Sequence, residues 1–129
     1  MELQSQTLIG HFVCNHQQFY LDRLTNRQTG KTYALNESEP FVIHWQEGGQ
    51  LAASQMQAQL EKETAEAIQV DYQDDLARVK VIYELTDGYL KCKVSLLEAK
   101  QAINFLDLSA MTFQEDAKFY PPKEQEAIP

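Results

Sequence analysis

His11, Cys14 and His16 form the one group in this chain with metal-ligand chemistry. Imidazole nitrogens and a thiolate are what zinc takes, and a thiol beside an imidazole is also the raw material of a nucleophilic pair. The spacing argues against both. On a strand, residues 11 and 14 point to opposite faces, so the three converge only if Cys14 sits in a turn. A fourth ligand would have to come from His44 or Cys92, far along the chain. No residue is nominated to stabilise a Cys14 thiolate or to orient a base beside it. Asp71, Asp74 and Asp75 have the chemistry of an acid–base or Mg²⁺ cluster, but they lie in a polar stretch where carboxylates are ordinarily solvated. Gly48-Gly49 lacks the following Lys-Ser/Thr of a phosphate-binding loop, and Thr29-Gly30-Lys31 falls between strands. The expectation is a non-enzymatic protein with no metal and no cofactor.

Two sets of residues have the chemistry of binding instead. Glu61, Glu63, Glu66, Asp71, Asp74 and Asp75 stand against Lys62 alone between positions 51 and 75. A carboxylate-rich surface of this kind steers a basic partner and speeds its association. The second set is Phe19, Tyr20, Tyr33 and Trp45 with Arg23, Arg27 and Lys31, since aromatic rings beside cations are what a single-stranded nucleic-acid platform needs. The whole chain carries 11 basic and 19 acidic side chains, a formal charge of −8 that would repel a phosphate backbone. Nucleic acid is therefore the weaker expectation. The preferred one is a small acidic inhibitor, immunity-type or adaptor module acting on a basic protein partner.

Composition sets the frame for those residues. At 129 residues the chain is one domain, long enough to bury a core without disulfides. No basic segment followed by an apolar one opens it, and no apolar run approaches the roughly 20 residues of a membrane-spanning helix. Two cysteines without a secretion signal are expected as free thiols in the cytoplasm. Nothing in the sequence sets the oligomeric state.

The elements that must position these groups are read from periodicity. Thr7–Val13, Gln17–Leu24, Lys31–Leu35 and Phe41–Trp45 read as strands, with Gly10 marking a bulge or a close backbone approach in the first. Phe19 and Leu21 fall on one face of the second strand, Gln18, Tyr20 and Asp22 on the other. Gln50–Gln69 is rich in Ala, Gln and Glu without Gly or Pro, which predicts a long surface helix. Its outer face and the linker after it would carry the acidic stretch. Ser95-Leu-Leu-Glu98 has the form of a capping box and predicts a second helix from Leu96 to about Leu106. Leu108–Phe113 adds a short strand. From 114 to 129 the chain is polar, and 1–113 is taken as the domain with a flexible tail after it.

The clearest prediction concerns Ala77–Leu96. Asp87-Gly88 is a two-residue hairpin loop. Facing Thr86 with Tyr89 pairs Leu85 with Leu90, Tyr83 with Cys92, Val81 with Val94 and Val79 with Leu96, an apolar face throughout. The other face carries Lys80, Glu84 and Lys91, and a Lys80→Asp change there should be nearly silent. Together the elements predict an α+β class, an antiparallel sheet of about six strands with one long intervening helix and a C-terminal helix. Over residues 7–96 the order resembles a small OB-type barrel, in which three meandering strands and a helix precede a closing hairpin.

Overall fold

The computed structural model describes residues 1–15, 18–108, 111–113 and 123–127. Most of them lie in β-strands. In chain order the strands are β1 (Glu2–Gln4), β2 (Leu8–Asn15), β3 (Gln18–Asn26), β4 (Thr32–Ser38), β5 (Val42–Trp45), β6 (Gln50–Ala52) and β7 (Gln57–Glu63). They continue with β8 (Ala67–Gln73), β9 (Ala77–Thr86), β10 (Tyr89–Ala99), β11 (Ile103–Asp107), β12 (Met111–Phe113) and β13 (Lys123–Ala127). One turn of 3-10 helix, Ala53–Gln55, interrupts them.

The strands form three sheets in the orders β1-β2-β3-β4-β12, β13-β10-β9-β8-β7 and β11-β5-β6. All pairings are antiparallel except β13 with β10. The two five-stranded sheets face each other across a shared core. Leu3, Phe12, Phe19, Leu21 and Leu24 from the first meet Ile68, Val70, Tyr72, Val81 and Tyr83 from the second. Phe12 and Tyr83 stack edge to face with ring centres 5.1 Å apart, and Phe41, just before β5 of the third sheet, packs on Tyr72 at 5.4 Å. Such pairs prefer this geometry because a positive ring edge meets a negative face.

The β9–β10 hairpin has the expected register, with Leu85, Tyr83, Val81 and Val79 opposite Leu90, Cys92, Val94 and Leu96. All eight are buried. Gly88 takes φ +104°, which an L side chain rarely adopts. The turn is also fixed from outside: Gly88 N–H donates to Thr7 Oγ1 at 2.8 Å and Gln6 N–H to Asp87 Oδ1 at 3.1 Å, tying the two large sheets at one end. Gly10 fits its reading as well. The register with β3 shifts between His11 and Phe12, and a Cβ at Gly10 would meet Phe12 Cε2 at 3.3 Å.

Both expected helices are absent, so the α+β class is corrected to a nearly all-β fold. Gln57-Ala-Gln-Leu60 alternates polar outward and apolar inward, and Ala67–Tyr72 resumes the alternation with Ile68, Val70 and Tyr72 buried. Between them Thr64 makes the turn, its Oγ1 accepting Ala67 N–H at 3.0 Å. Helix propensity is a few tenths of a kcal/mol per residue and yields to burial of a strand's apolar face. The second helix fails for the same reason. Ser95 is 2% exposed inside β10, and Glu98 follows a register shift in that strand. β10 continues to Ala99, and β11 pairs back on β5. The OB-type reading falls with its helix. Most of 114–129 lies outside the described residues, and β13 within it lines the edge of β10.

Candidate functional site

The predicted acidic surface splits along the second large sheet. Glu61 and Glu63 stand at the far end of β7 and Glu66 in the turn that follows, all exposed. Asp74 and Asp75 lie in the β8–β9 turn at the other end of the seven-residue β8, about 20 Å of extended chain away. Asp74 Oδ2 accepts Leu76 N–H at 3.2 Å and so shapes that turn. Asp71 is 7% exposed and engaged by Arg78, whose Nε reaches Oδ1 at 3.2 Å and Oδ2 at 3.1 Å. Arg78 Nη2 lies 3.1 Å from Oδ2 as well, and this hydrogen-bonded pairing raises the guanidinium pKa. Of the six, Glu63 and Glu66 stay at the β7–β8 turn, while Glu61 is near enough to Arg78 to add to the rise in its pKa.

The fold adds two carboxylates at that turn. Glu66, Glu84 and Asp87 line one shallow depression of about 250 Å³, together with Ser5, Gln6, Leu85 and Thr86. Glu84 is the cross-strand neighbour of both Ala67 and Lys91. On the rim, the Arg27 guanidinium donates to Ser5 O at 2.8 Å. Three turns, β1–β2, β7–β8 and β9–β10, meet here because Gln4 N–H donates to Ala65 O at 3.0 Å and Asp87 holds Gln6. The alternation across Gln57–Tyr72 is the signal that would have placed Glu66 and Glu84 at the same end.

The aromatic and basic set is dispersed. Phe19 and Trp45 are core residues, at 5% and 8% exposure. Tyr20 and Tyr33 are half-buried, Lys31 Nζ sits 5.0 Å over the Tyr33 ring, and Arg23 Nε is 3.2 Å from Asp22. Arg27 is held at the acidic end. No continuous row of exposed rings forms among the described residues.

The potential metal and nucleophile group is also taken apart. His16 lies outside the described residues. His11 instead joins a row across the outer face of the first sheet, with Nδ1 3.0 Å from Glu2 Oε2 and Nε2 2.9 Å from Thr25 Oγ1. Thr25 Oγ1 in turn lies 2.8 Å from Thr32 Oγ1. His44 stacks on Phe105 at 4.2 Å. Cys14 is an exposed free thiol and Cys92 a buried one. No group of three His, Cys, Asp or Glu side chains among the described residues could hold a metal ion, and no described helix is long and apolar enough to cross a membrane. No protein family, curated protein or solved structure matches this chain.

Proposed function

We propose that this chain is a non-enzymatic, cytoplasmic protein-binding module of the inhibitor or adaptor kind, and that its acidic end receives a basic protein partner. The observation that carries the reading is the meeting of Glu66, Glu84 and Asp87 around one depression. Carboxylates from two turns and from strand β9 share one concave surface there, and nearby charges of one sign raise the local potential that steers an oppositely charged partner. Lys91 and Arg27 temper that field at its border without entering the lining. Asp71 takes no part, because Arg78 already neutralises it.

The test uses two charge-neutralised variants. One carries Glu63→Gln, Glu66→Gln, Glu84→Gln and Asp87→Asn, in which the Asn oxygen still accepts Gln6 N–H. The other carries Asp74→Asn and Asp75→Asn at the opposite end. The partner recovered from the native host should associate roughly tenfold more slowly with the first, with a flatter salt dependence, and at the unaltered rate with the second. Unchanged kinetics for the first variant would overturn the reading.

A further inference from the structure

At the other end of the strands, the start of β3, the β4–β5 connection and the 3-10 turn enclose a pocket of about 310 Å³. Tyr20, Pro40 and Ala53 make its apolar wall, while Gln18, Glu39 and Ser54 supply the polar groups. Glu39 is half-buried there. Its Oε2 accepts Ser54 N–H at 3.0 Å, and among the described residues no cation faces its other oxygen. Ser54 O is occupied by Gln18 Nε2 at 3.4 Å. The Glu39 charge also reaches inward, as one of the influences that raise the phenol pKa values of Tyr72 and Tyr83, after burial itself.

We infer that this pocket binds one basic side chain, lysine or arginine, with its aliphatic stem on Tyr20, Pro40 and Ala53 and its cation on the free Glu39 oxygen. The size lies at the bottom of the roughly 300–1,000 Å³ of small-ligand sites, which suits a single side chain. A half-buried carboxylate makes a charge-assisted hydrogen bond stronger than a neutral one, and a tyrosine ring in the wall adds apolar surface for the stem. The apolar wall gives the methylene stem a surface that a bare metal ion would not use. This site stands apart from the acidic depression, so either reading can fail alone.

The alternative role for Glu39 is purely to tie Ser54 to the β4–β5 connection. Glu39→Gln separates the two, because the amide oxygen still accepts Ser54 N–H while the charge is gone. The probes are N-acetyl-arginine amide, N-acetyl-lysine amide and the neutral, nearly isosteric N-acetyl-citrulline amide, followed by amide NMR. Saturable shifts at Ser54 and Gln18 are expected, with Kd on the order of 1 mM for the two cations. The citrulline compound and the Glu39→Gln protein should each bind about tenfold more weakly. Tyr20→Leu should weaken the cations severalfold. A capped Gly-Arg-Gly peptide binding as well as the arginine derivative would assign the site to side chains in a polypeptide; loss of binding would restrict it to small cations. Equal binding of the arginine and citrulline compounds to the unaltered protein overturns the inference, as does the absence of any shift at Ser54. That comparison needs no variant to fold.

Discussion

The hydroxyls of Tyr72 and Tyr83 lie 3.0 Å apart in the middle of the core, and Tyr72 donates its own proton to Phe19 O at 2.9 Å. One short chain of hydrogen bonds thus links both large sheets through an apolar interior. Tyr83 is fully buried and donates to Tyr72. Tyr72→Phe removes the donor to Phe19 O and strands the Tyr83 hydroxyl, at a cost of about 2 kcal/mol; Tyr83→Phe removes only the end of the chain and costs about 1 kcal/mol. Urea unfolding followed by Trp45 fluorescence checks the order, and the reverse order would refute it.

The same pair sets a pH dependence. Burial raises both phenols above the ordinary value of 10.0. Unfolded phenols ionise near pH 10 while the folded ones keep their protons, so the contribution is intact below pH 10 and is lost as pH rises above it. Stability should therefore fall above pH 10, and the slope should be smaller in the Tyr72→Phe/Tyr83→Phe protein. An unchanged slope would exclude these two residues as its source.

Val81 is flanked on the core face by Val70 and Val94. Val81→Ala should cost about 2 kcal/mol, and Val81→Asp should leave the chain unfolded, since an unpaired charge there costs as much as the domain's whole stability. Circular dichroism distinguishes the two. Lys80, on the opposite face, is a cross-strand neighbour of Asp71 as well as of Ser95. The expected silence of Lys80→Asp is therefore revised: like charges would stand opposite each other and lower the melting temperature, whereas Lys80→Gln should leave it unchanged.

Two glycines are constrained for different reasons. A methyl at Gly10 would press on Phe12 at 3.3 Å, with Leu85 and Leu21 at 3.6 and 3.7 Å behind it. At Gly88 nothing lies within 4 Å, but φ is +104°. Gly10→Ala should cost about 1 kcal/mol through overpacking against Phe12, a loss partly relieved by Phe12→Leu; Gly88→Ala should cost about 1 kcal/mol that no neighbouring change restores. Double-mutant cycles with Phe12 check both, with coupling expected at Gly10 and none at Gly88.

Among the acidic residues, Asp71 should behave unlike the others. Asp71→Asn weakens the Arg78 contact at a nearly buried position and should lower the melting temperature, while Glu61→Gln and Glu63→Gln should not move it. Thermal melts at low and high salt measure the difference, and equal effects at all three positions would show Asp71 to be as solvated as its neighbours.

Where local chemistry and packing agree, the structure was legible from residue order alone. Asp87-Gly88 and the four apolar pairs beside it specify one register, because a shift by one residue would bury Lys80, Lys91 and Lys93. Phe19 and Leu21 declare their inward face in the same way. Across Gln50–Leu106 local preference and tertiary demand disagree. Ala, Gln and Glu favour helix weakly, while Ile68, Val70 and Tyr72 stabilise the fold only by lying on one face of a strand against β9. The same holds at the candidate sites. Charge composition alone marks Glu61–Asp75 as acidic, but only strand pairing separates Asp74 and Asp75 from Glu66, gives Asp71 to Arg78, and brings Glu84 and Asp87 to the acidic end. Glu39 carried no signal in the chain, because its pocket is made by segments 18–20, 39–40 and 53–54, which meet only when the sheets close. Residue types and spacings act over a few neighbours, and the partner of a charge is decided by which strands pack together.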